Sequence, residues 1–121
     1  MKRVEELNAY FDHNIAACAK KHTALLNDGR RDEAVFQQIR GNVFDIFRTV
    51  LDVAAKRSAG DEAEIRRFFR AKLAEIPTGW RDSYAKAEAH DDAVKLHQET
   101  VKLEAWKEIS AFCDRIWGAD E

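Results

Sequence analysis

The chain has 121 residues, 45% of them hydrophobic and 35% charged, which is one domain's worth, enough to bury roughly two thirds of its unfolded surface without disulfide or metal staples. Twenty basic against 22 acidic residues leave a formal charge of -2, which excludes a global electrostatic pull toward nucleic acid or an anionic membrane. One proline and five glycines are too little punctuation for a strand-rich fold, so the expectation is a single all-α domain over residues 1–121.

The opening stretch MKRVEELNAYFDHN carries charge through every turn and lacks the apolar centre of a signal peptide. No run approaches the roughly 18 apolar residues of a membrane span, so a cytoplasmic protein with no membrane partner is expected. A first helix is predicted from about Lys2 to Leu26. Its Val4, Leu7, Phe11, Ile15, Cys18, His22 and Leu25 recur at steps of three and four, which makes one apolar face. The run NDGR at 27–30 is turn chemistry.

Asp32 and Glu33 suit the first turn of a second helix running to about Ser58. Its apolar residues, from Val35 and Phe36 through Phe47 to Val53, cover about half of the circumference at about 100° per residue. Such a helix is expected to be buried by more than one neighbour. SAGDEAE ends it at Gly60 and begins a third helix, with Ile65, Phe68, Phe69, Leu73 and Ile76 on one side and Arg66, Arg67 and Arg70 on the other. That basic side is expected to be solvated rather than to contact phosphates. Pro77 is predicted to end this helix, because the residue before proline is pushed out of the α region.

Beyond IPTGW, the phase of Trp80, Tyr84, Ala87, Val94, Val101, Ala105, Ile109, Phe112 and Ile116 persists to Gly118. The sequence therefore favours an unbroken fourth helix from about Thr78 to Trp117, with a break near AHDD as the alternative. Sequential helices with short connections give an antiparallel four-helix bundle, up-down-up-down, with a long C-terminal helix.

Several polar residues fall within the apolar arcs. His22 lies on the face of the first helix, and His90 and His97 share the stripe of the fourth with Val94 and Val101. A helix pairing in which level positions sum to about 119 brings His22 to His97. A structural polar layer is the favoured reading of these histidines, and no cofactor is expected. The rival is a metal or small-ligand site built on His22, His90 and His97, in a sensor or metal-dependent hydrolase. Asn14, Arg40 and Glu108 are read as buried polar residues; for Arg40 the favoured reading is a side chain snorkelling to the boundary between two helices, with Glu108 one candidate partner for its guanidinium. Cys18 and Cys113 fall several turns apart, which suits free core thiols. The acidic runs DEAE (61–64) and EAHD (88–91) are set aside as enzyme signatures, since the former is explained as first-turn acids.

The fourth helix also carries a second stripe, Leu96, Leu103, Trp106, Cys113 and Trp117, about 140° to 180° from the first. One bundle does not easily bury both faces. The leading expectation is therefore a non-enzymatic interaction module that forms a homodimer through this second face, with Trp106 as its anchor.

Overall fold

The structure, a computed structural model, describes residues 1–118. Their regular structure is entirely helical: α1 (Lys2–Asn27), α2 (Arg31–Arg57), α3 (Glu62–Glu75), α4 (Pro77–Ala89) and α5 (Ala93–Trp117). None of these helices is long and apolar enough to cross a membrane.

The periodicity of α1 translates directly into burial. Val4, Leu7, Phe11 and Cys18 are buried, and Ile15, His22 and Leu25 are partly buried. As residue number rises along α1 it falls along the α2 residues it meets. Asp12 accepts a 2.6 Å bond from Arg48 Nε, and a Cβ on Gly41 would lie 3.1 Å from Cys18 Cβ. Glycine at 41 thus lets the two helices approach closely. The turn between them uses Gly29 at φ 74°, where a residue without Cβ avoids strain. Asp61 caps α3 through a bond accepted from Glu64 N–H, in keeping with the acidic start of that helix.

α3 ends at Glu75, just before Pro77 as expected, but not for the expected reason. Ile76 keeps α-helical angles, φ -57° and ψ -44°, and Pro77 opens α4 at once. Proline has no N–H to give the Leu73 carbonyl four residues back. That carbonyl accepts a 2.7 Å bond from the indole Nε1 of Trp106 instead, and the neighbouring Glu75 carbonyl takes the Thr78 hydroxyl at 2.6 Å. The indole thus offsets the carbonyl that proline leaves without its helical donor.

The chain reverses thirteen residues later than Pro77, counting to His90. The expected helix from Thr78 to Trp117 is broken at His90–Asp92: Asp91 takes a left-handed conformation, φ 53°, which aspartate tolerates better than most residues. Asp92 is the N-cap of α5 and accepts from Lys95 N–H at 3.1 Å. α5 then folds back along α4, with the Arg81 guanidinium 5.1 Å from the Trp106 ring.

The core gathers at one end of the molecule. Phe11, Phe44, Phe47, Leu51, Ile65, Phe69, Ala105, Ile109 and Cys113 are sealed from solvent, and the ring centroid of Phe47 lies 6.2 Å from Phe69 and 6.3 Å from Trp80. Toward the α1–α2 and α4–α5 turns burial thins: Leu26, Val35 and Val94 are all exposed.

Candidate functional site: an exposed apolar stripe on α2

The second face of α5 is covered within the chain itself, which corrects the sequence-based interface. Cys113 is fully buried and Trp117 nearly so, its ring 5.9 Å from Phe69. Trp106 is partly buried, packed against the core cluster and bonded to Leu73. Leu96 and Leu103 are also partly buried. The reason is the reversal at Asp91. With α4 returning along α5, one face of α5 meets α1 and α2, where Tyr10 stacks on Phe112 at 3.9 Å and Arg40 pairs with Glu108, and the other meets α3 and α4.

Nor are the three histidines brought together. His22 borders a groove of about 410 Å³ between α1 and α2 with Cys18, Gln37 and Asp45. His97 is exposed and lies against Phe36, ring centroids 3.9 Å apart, in a different groove. His90 is the exposed C-cap of α4. Among the described residues no three or more histidine, cysteine, aspartate or glutamate side chains are grouped to hold a metal. The inward orientation expected of His90 and His97 fails because the break at Asp91 leaves His90 at the end of α4, while the first turns of α5 are open to solvent, with Val94 67% exposed.

Glu108, one candidate partner for Arg40 in the sequence, pairs with it. Arg40 Nη2 donates to Glu108 Oε1 at 3.0 Å, and Nη1 pairs with Oε2. The pair lies at the rim, not in the core: half of the Glu108 side chain is exposed and Arg40 is partly so. The guanidinium also sits 5.0 Å from the Phe44 ring centroid, so α2 and α5 are tied by a bidentate pair braced on an aromatic face. Asn14 is likewise only partly buried and donates to the Tyr10 carbonyl at 2.9 Å. The charge that is truly buried is Glu99, 1% exposed, with Lys102 donating to Oε1 at 3.1 Å and Oε2 unpaired. At about 20° from Trp106 around the helix, it lies inside the second stripe, and that position was the signal for it.

Burial raises three ionisations beside this joint, the Cys18 thiol among them. Burial, with the Glu108 charge next in weight, pushes the Tyr10 phenol from 10.0 up to about 12, and burial pushes the Cys113 thiol from 9.0 up to about 12. Both groups are neutral when protonated. Their contribution to stability is therefore complete below their ordinary values and is lost as pH rises toward about 12. Urea unfolding from about pH 8 to about pH 11 should show a steady loss of stability, and Tyr10→Phe should flatten the part above about pH 10. A flat profile for the unaltered chain would mean that neither group is buried.

The α2 surface departs from expectation in another way. Its apolar arc is wider than its neighbours cover, and Val35, Ile46 and Val53 remain 41%, 38% and 41% exposed. At about 100° per residue, offsets of 11 and 18 place them within about 20° of one another. They therefore form a single stripe along the helix, with partly buried Ile39 and Val50 at its inner edge. At its N-terminal end the stripe runs into a groove of about 420 Å³ between α2 and α5. Asp32, Val35, Phe36, Val94 and His97 border it. The basic side of α3 offers no comparable surface: Arg70 donates to Asp114 at 3.1 Å and to the Gly118 carbonyl at 2.6 Å, and Arg67 pairs with Glu64.

Comparison of the chain with protein-family models, with curated proteins and with solved structures finds no match to any of them.

Proposed function

We propose that this chain is a non-enzymatic helical interaction module whose contact surface is the α2 stripe of Val35, Ile46 and Val53, together with the groove beside Val94. One observation carries the proposal: large aliphatic side chains are left in water in line along one helix. Aligned exposed aliphatics of this kind mark interaction surfaces more often than scattered ones do. The architecture that goes with it is an up-down-up-down bundle in which α3 and α4 together form the third arm and α5 the fourth. The contact pairs Asp12–Arg48, Phe47–Phe69, Arg70–Asp114 and Arg81–Trp106 support that order. Free Cys18 and Cys113 fit a reducing compartment such as the cytoplasm.

A photo-crosslinking residue placed at Ile46, with exposed Glu104 on α5 as the control position, tests the surface in cells. Position 46 should give a discrete crosslinked product and position 104 none. No product from position 46 overturns the proposal. In parallel, Ile46→Glu should change stability by no more than about 0.5 kcal/mol, as at an ordinary surface site. A loss of several kcal/mol would place Ile46 in the chain's own core.

A further inference from the structure

Resting on the α2 stripe as the contact surface, we infer that its occupant is a second copy of the same chain, with the two α2 helices packed antiparallel about a two-fold axis near residues 44 and 45. An isologous contact needs a surface complementary to itself, and the order of residues along α2 has that property. In an antiparallel pair centred there, facing positions sum to 88 or 89. Val35 then faces Val53 of the second copy and Ile39 faces Val50, so apolar residues meet apolar ones toward both ends of about 27 Å of helix, 18 residues at 1.5 Å each, while near the axis Ile46 lies beside the exposed Asn42.

The charges at the two ends agree with the same register. Asp32 borders the groove floored by Phe36 and His97 and forms no ion pair with any described residue. Its facing position is Arg57, which lies about 20° from it around the helix, on the same flank of the stripe. A two-fold axis perpendicular to the helices keeps that flank in register with itself. The Arg57 side chain is exposed, with its guanidinium 4.8 Å from the Phe68 ring, so it reaches a partner without giving up a buried charge. A groove with a carboxylate at its lip and aromatic rings on its floor is complementary to a guanidinium. On the opposite flank Arg31 approaches Lys56, whose charge is offset within its own chain by Asp52 at 3.0 Å.

The pairing predicts a charge-swap pattern measurable by sedimentation equilibrium. The unaltered chain should self-associate at about 100 μM, in the weak range of small interfaces. Asp32→Arg and Arg57→Asp should each weaken self-association by about tenfold or more, because each sets two like-charged pairs at the symmetric ends. An equimolar mixture of the two variants should recover association, since every facing pair is then again one acid and one base. The double variant should recover it too. A monomeric unaltered chain at about 1 mM overturns the inference, as does a mixture no tighter than the single variants. Neither result touches the α2 stripe as a contact surface, which stands or falls on the crosslink from position 46; a product there containing a different protein would keep the surface and reject the second copy.

Discussion

Replacing Phe47 with alanine is expected to cost about 3 to 5 kcal/mol of folding stability, the range for truncating a buried aromatic side chain. Phe47 is fully enclosed and its ring meets Phe69 of α3 and Trp80 of α4 edge-on, so one side chain joins three helices. Neither neighbour can collapse into the vacated space without losing its own packing, and that places the expected loss at the upper part of the range. Urea unfolding measures it directly. A loss below about 1 kcal/mol would mean that α2 does not occupy the centre of the core.

The second large effect concerns Trp106 and separates its ring from its N–H. Trp106→Phe keeps most of the apolar contact but leaves the Leu73 carbonyl without its donor, because Pro77 has no N–H to offer. The expected cost is about 1 to 3 kcal/mol, that of an unsatisfied buried acceptor with some lost packing. Restoring a backbone donor by Pro77→Ala should shrink the cost of Trp106→Phe, giving a coupling of about 0.5 kcal/mol or more in a double-mutant cycle. Trp106→Glu, which loses ring and bond together and points a carboxylate at the core, should destabilise the single chain by about 3 kcal/mol or more. Independence of the two sites in the cycle would show that the carbonyl is satisfied from elsewhere. If Trp106→Glu altered only self-association, the second face of α5 would be an interface after all.

Helix class, the inward face of α1, the acidic start of α3 and the central place of Phe47 were all legible in the sequence, because each depends on residues within one or two turns of one another. Periodicity decides which side of a helix is apolar, and a capping carboxylate needs only the next three amides. Glu108 was legible only as one candidate for Arg40, because a guanidinium within an apolar arc calls for either an acid or a route to the helix boundary.

What remained hidden depends on neighbours distant along the chain. Whether Pro77 stops a helix or merely interrupts its ladder turns on a donor 33 positions from Leu73. The point of reversal turned on Asp91 accepting a left-handed backbone, which moved the corner from Pro77 to His90 and gave α5 neighbours on both faces. That one displacement buried Cys113 and Trp117, left His90, Val94 and His97 at the exposed tip, and scattered the three histidines. The width of the apolar arc on α2 was plain from the sequence, but the share of it left in water was not. Local patterning sets how much apolar surface a helix presents; how much is covered depends on where the other helices turn.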